Sequence, residues 1–178
     1  MAPEYAFFTR WRLRATAQEV YDVLADPFGL ARWWPSVYLE VKELAPPDPQ
    51  TGMGRLVGLH TNGFPPYTLR WNFRVTESTP PTGFKLVAQG DFEGIGVWKL
   101  QQDGDFVDVT YDWRISAEKP LLRFGSFALR PFFAANHRWA MARGEETLAR
   151  ELDRRRALNG VGRCCYSQRG PSRGLALG

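Results

Sequence analysis

The hydrophobic pattern of this chain changes period three times. Residues 6–14, A-F-F-T-R-W-R-L-R, alternate between apolar and polar as a half-buried strand does. From Ala17 the apolar positions, Val20, Val23 and Leu24, fall on one face of a helix. Thr16 precedes them with Glu19 at capping-box spacing, and Asp26-Pro27 supplies a stop. F-G-L-A-R-W-W then predicts a second short helical turn that ends at Pro35. Between 36 and 116 the period returns to two. Strands are predicted at 36–44, 54–61, 67–77, 83–91, 92–102 and 105–116, divided by P-P-D-P-Q-T-G, N-G-F-P-P, S-T-P-P-T-G and D-G-D.

Two of these strands show which face is covered. In Y-T-L-R-W-N-F-R-V-T, Tyr67, Leu69, Trp71, Phe73 and Val75 share one side, and the opposite side is polar. The strand at 105–116 sets Val107, Val109, Tyr111, Trp113 and Ile115 against Asp108, Thr110, Asp112 and Arg114. One wet and one covered face is what an antiparallel sheet allows. The cover is a long final helix over roughly 121–156, whose apolar stripe has the 3.6-residue period. Pro131 marks a kink or a true start within it. The pattern therefore predicts an α+β fold: an antiparallel sheet of about seven strands, two short helices after the first strand, and a long C-terminal helix.

The final helix carries a polar residue on its apolar stripe. Phe133, Ala140, Met141, Gly144 and Leu148 share a face with His137, while Arg143, Glu146 and Arg150 lie opposite. Two readings stand. His137 is a core histidine donating a ring N–H to a strand carbonyl or to Tyr111, because an unpaired buried group costs about 1–3 kcal/mol. Or it is the polar anchor of a cavity between helix and sheet. His60 shares parity with Asn62 near a strand end, which suits a loop-edge position or a cavity mouth. Gly94 and Gly96 fall on the covered parity and mark either a bend or space for something else. Gly144 marks close approach of helix to sheet. Trp33 and Trp34 either cap the open end of the sheet or gate an entrance. Trp139, on the outward side of the helix, is a candidate homodimer or partner surface.

Composition narrows the function classes. The 178 residues include seven tryptophans and twelve phenylalanines, a load that either fills a core or lines a cavity. The net charge of +4 comes largely from residues 157–178, which hold Arg163, Arg169 and Arg173 and no acid. Without them 20 basic residues face 19 acidic ones, so a basic nucleic-acid surface is not expected. No window reaches the ~18 apolar residues of a membrane span, and the start has no signal-like apolar run. Cys164 and Cys165 are adjacent in the glycine- and arginine-containing tail and cannot staple the domain. A reducing, cytoplasmic protein is expected, with a single domain over 1–156 and a mobile tail over 157–178. Neither a metal site nor a cofactor motif is evident; phosphate-loop, dinucleotide and nucleophile-elbow patterns are all missing.

Three stretches carry a family resemblance: Y-D-V-L-A-D-P…A-R-W-W-P-S-V, G-I-G-V-W-K-L-Q-Q-D-G-D-F-V-D-V-T-Y-D-W and N-H-R-W-A-M-A-R-G-E-E-T-L. Over about residues 5–156 the chain resembles the START-like, Bet v 1-like superfamily (SRPBCC), and more narrowly its bacterial polyketide cyclase/dehydrase-like group. The resemblance implies a helix-grip fold, a curved sheet wrapped around the long helix with a cavity between them. It leaves function open, since the superfamily includes lipid carriers, hormone receptors, aromatic cyclases and chaperone co-factors. The expected ligand is a hydrophobic or aromatic small molecule, lipid- or polyketide-like. Its expected lining is Tyr67, Leu69, Trp71, Trp98, Tyr111, Trp113, Phe133, His137 and Met141. A cyclase or dehydratase acting on such a guest would use His137 or His60 as base and Tyr111 or Tyr67 as donor. A co-chaperone-like interaction module is the third alternative.

Overall fold

The computed structural model describes residues 4–50, 53–63, 67–116 and 126–166. Strand β1 (Glu4–Leu13) leads into α1 (Ala17–Leu24), which begins with the predicted capping box. Thr16 Oγ1 accepts from Glu19 N–H at 3.2 Å, and Glu19 Oε2 accepts from Thr16 N–H at 2.8 Å. Asp26 caps a single 3₁₀ turn, Pro27–Gly29, which runs straight into the short helix α2 (Leu30–Trp33).

Six further strands follow: β2 (Tyr38–Ala45), β3 (Leu56–Gly63), β4 (Tyr67–Thr79), β5 (Gly83–Gly90), β6 (Glu93–Asp103) and β7 (Phe106–Ser116). They form one seven-stranded antiparallel sheet in the order β1-β7-β6-β5-β4-β3-β2. The order places the first strand beside the last, so β1 and β2 are the two edges. Both are managed. The Arg12 N–H on the free side of β1 donates to Glu145 Oε1 at 3.3 Å, and β2 is broken by two register shifts.

The long helix α3 (Ser126–Tyr166) covers the concave face. It contains Pro131 within its span and continues past 156 to Tyr166, although Asn159-Gly160 and Gly162 read as a stop. The predicted start near 121 and the tail from 167 onward, like the flanking residues 117–125, lie outside the described residues.

The solid core sits at one end of this grip. Val20 and Val23 of α1, Val107 and Val109 of β7, and Leu148 of α3 exclude solvent almost completely. At that end Glu151, 3% exposed, receives both guanidinium nitrogens of Arg32 at 2.6 and 2.8 Å, together with Arg154 and Arg155. These partners hold its carboxyl far below the usual carboxylate range, Arg154 contributing most. The Arg32 pair ties α2, and therefore Trp33 and Trp34, to α3.

Two glycine assignments change. Gly144 marks the seat of a side chain: a Cβ there would overlap the Trp34 indole. Gly96 lies beneath the chain's own rings, with the Tyr111 hydroxyl 2.9 Å from where its Cβ would stand and Trp113 at 3.0 Å. Trp139 is half-buried and packs against the core, so it does not present the exposed ring expected of an outward-facing residue.

Candidate functional site: a ring-lined cavity beneath the last helix

Beyond the solid core, the first half of α3 stands off the sheet, and the space beneath it is not filled. A cavity of about 460 Å³ lies between Phe133, His137, Ala140 and Met141 above and Tyr67, Leu69, Trp71, Tyr111 and Trp113 below. Its size falls in the range of small-molecule sites, roughly 300–1,000 Å³. A second cavity of about 270 Å³ continues toward α1, and Trp98 lines this one. Every residue predicted as lining is thus found on one cavity or the other.

The strand period explains why the rings converge. Tyr111 and Trp113 sit on the same face of β7, and Trp98 lies directly across from Tyr111 on β6. The Tyr111 ring stacks on Trp98 at 4.1 Å and on Trp113 at 5.7 Å, lying flat along the sheet because Gly96 has no side chain to lift it. Trp71 closes the next stretch of floor against Phe92 (5.2 Å) and Trp113 (6.0 Å). The Trp71 indole N–H donates to Thr61 Oγ1 at 3.1 Å, which fixes the orientation of the ring.

His137 combines the two sequence readings. Its ring stacks on Phe7 at 4.6 Å, and Nε2 lies 3.0 Å from Thr9 Oγ1 of β1. The partner is therefore a threonine hydroxyl rather than Tyr111 or a strand carbonyl. The other nitrogen, Nδ1, has no protein partner among the described residues, and the ring faces the cavity. Desolvation pulls its pKa down to about 4, so the imidazole is neutral at physiological pH. Because a hydroxyl can donate or accept, Thr9 serves either tautomer, leaving Nδ1 free to present N–H or lone pair to a guest.

The phenols of Tyr38 and Tyr111 add polar points on this otherwise apolar surface. Burial raises the pKa of both, keeping them as O–H groups, and among the described residues neither hydroxyl has a hydrogen-bond partner. Asn136 and Asn62 also reach the cavity wall. His60 does not. It sits on the other face of β3, between Glu40 of β2 and Arg70 of β4 in register. Tyr67 reaches the rim with its ring across Gly63.

Several wall residues were not anticipated: Tyr5 and Phe7 of β1, Trp34, Val37 and Tyr38 after α2, and Phe92. The β1 pair was legible, since Tyr5, Phe7, Thr9 and Trp11 share parity. Tyr38 was not, because the bulge after it breaks the alternation of β2. Trp33 and Trp34 are buried at 4% and 3%, stacked at 5.3 Å, so Trp34 forms an inner wall and not an exposed gate. Among the described residues no cluster of three or more His, Cys, Asp or Glu is placed to hold a metal ion. No helix among them is long and apolar enough to cross a membrane.

Residues 9–153 match the family model described as polyketide cyclase/dehydrase and lipid transport. No curated protein matches the sequence. Among solved structures, the chain is similar to the Zhui aromatase/cyclase from a Streptomyces species, with a TM-score of 0.70 and 17% identity over 86% of this chain and 96% of that one. A START superfamily protein from Mycobacterium smegmatis gives 0.65 and 12% over 84% and 97%. A protein from Thermus thermophilus gives 0.64 and 15% over 82% and 97%. At these identities the likeness establishes the shared helix-grip fold.

Proposed function

This chain belongs to the polyketide cyclase/dehydrase and lipid transport family, and from that membership we propose that it binds a hydrophobic or aromatic small molecule, lipid- or polyketide-like, between sheet and helix. The observation that carries the reading is the unfilled space itself. A chain this rich in aromatic side chains leaves about 460 Å³ open and lines it with ring faces. Close packing is the default for protein interiors, so a void of this size reflects a use. Ring faces supply contact area with few rotamers to freeze. His137, Tyr38 and Tyr111 supply the few polar points that orient a guest.

The test is a fluorescence titration with N-phenylnaphthylamine, an uncharged aromatic probe that brightens out of water. Saturable binding to one site, with a raised melting temperature, is expected. A linear, unsaturable response with no thermal shift would overturn the reading.

One observation favours chemistry over storage. A neutral imidazole with a free nitrogen faces the same cavity as two protonated phenols, which is a base and two donors in one apolar space. In a cyclase or dehydratase, His137 Nδ1 would take a proton from carbon beside a guest carbonyl, and a phenol O–H would stabilise the resulting enolate oxygen. Turnover of an aromatic-precursor ketone that disappears in His137→Phe while probe binding persists would establish this reading; unchanged turnover would remove it.

A further inference from the structure

The smaller cavity raises a question the binding reading leaves open. It extends from the middle of the molecule toward α1 and the 3₁₀ turn, and its far end is bordered by Pro27, Met53, Gly54 and Arg55. The larger cavity runs in the opposite direction, toward Tyr5, Tyr67 and Ile115. The two are lined in common by Trp34, Tyr38, Trp71, Tyr111 and Met141. These residues form a waist: Trp34 and Met141 come from the helical side, Trp71 and Tyr111 from the sheet, and Tyr38 from the start of β2.

We infer that the chamber beneath α1 is a second subsite, and that the guest is an elongated molecule that passes the waist and lies in both chambers. This rests on the binding reading above and adds to it the shape of the ligand.

Both chambers offer apolar wall to such a guest. Polar groups line the inner chamber as well, with Arg55 at its rim and the Tyr38 and Tyr111 phenols at the waist. The hydroxyls of Tyr21 and Ser78 bond each other at 2.6 Å, and Arg55 pairs with Glu43 at 3.1 Å at the rim. The apolar wall between them is chiefly Leu59, Phe73, Phe84 and Leu86. The outer chamber holds the imidazole whose second nitrogen is unused. An elongated guest therefore meets apolar wall in both chambers and has His137 beside it in the outer one. Trp34 fixes the width of the passage. Its ring is wedged between Trp33 (5.3 Å), Trp11 (6.0 Å) and Tyr38 (5.3 Å), and is seated on Gly144.

Two probes separate the chambers in the 178-residue chain: N-phenylnaphthylamine, compact, and cis-parinaric acid, elongated. Val75 lines only the inner chamber and is half-buried on β4, so Val75→Phe fills that space from the sheet side. Met141→Trp fills the waist. Val75→Phe is expected to weaken parinaric acid by roughly tenfold or more while changing the compact probe by less than about threefold, whereas Met141→Trp, at a residue that borders both chambers, is expected to weaken both. A melting curve on each variant confirms that it is folded, and Met141→Leu, similar in volume, should restore parinaric binding. Equal affinities for parinaric acid in wild type and in folded Val75→Phe would overturn the inference. So would a parallel loss of both probes in that variant. Failure of both probes to bind wild type would instead remove the binding reading itself.

Discussion

His137 of α3 and Thr9 of β1 meet at 3.0 Å across the space between helix and sheet. This contact joins the cover to the edge strand at the rim of the cavity and turns one imidazole nitrogen away from the guest. The other remains available. Replacing His137 with Phe keeps the ring against Phe7 and removes both nitrogens. The variant should fold, with stability changed by no more than about 1 kcal/mol, because Thr9 is half-exposed and can hydrate. Affinity for a guest bearing a carbonyl or hydroxyl should fall by about 1–3 kcal/mol, checked by probe displacement.

Acid should act through the same residue. With a folded pKa of about 4 against an ordinary 6.5, His137 binds fewer protons in the native state than in the unfolded chain between those values. Its contribution is therefore complete above about pH 7 and is lost as pH falls toward 4. Urea unfolding at a series of pH values should show wild-type stability declining over this window by on the order of 2 kcal/mol more than His137→Phe. Parallel pH profiles would show that the imidazole is not desolvated.

The seat of Trp34 gives a prediction whose sign opposes helix propensity. Ala is favoured over Gly in a helix interior by about 1 kcal/mol. Gly144→Ala would nevertheless place a Cβ inside the Trp34 ring, and that ring is held by three aromatic neighbours and cannot retreat. A net loss of roughly 1–3 kcal/mol is expected in thermal unfolding. A gain would mean that Trp34 is loosely held.

Glu151 tests what positions that wall. Its carboxylate is buried, but Arg32 and Arg154 are each about half exposed and can return to water. Glu151→Gln should therefore cost about 1–3 kcal/mol, below the figure for two fully buried charges, and should weaken probe binding by loosening α2. Loss of stability with unchanged affinity would show that α2 holds its place without the ion pair.

The element order, the faces of β4 and β7 and the stripe on α3 were legible because each rests on a period, and a period survives without knowledge of partners. The capping box at Thr16 and Glu19 was legible for a similar reason, being local. What the sequence hid depended on contacts between distant segments. Thr9 as the partner of His137, Trp34 as the occupant of the space above Gly144, and Tyr111 lying over Gly96 each join residues with no local signal. His60 was left between a loop edge and a cavity mouth because parity gives a face but not which face is concave. The end of α3 was hidden for another reason: Asn159-Gly160 is a common helix terminator, and the structure continues through it.

The most direct test of the central claim is to fill the cavity. Ala140 lines only the larger chamber, from the helix side, and is half-buried. In Ala140→Trp the added indole should occupy the space now open. Titration with N-phenylnaphthylamine should then show affinity reduced by at least about tenfold relative to wild type, with a melting temperature equal or higher because a void has been filled. Unchanged probe affinity in a folded Ala140→Trp protein would contradict the account, because the guest would then be bound somewhere other than between helix and sheet.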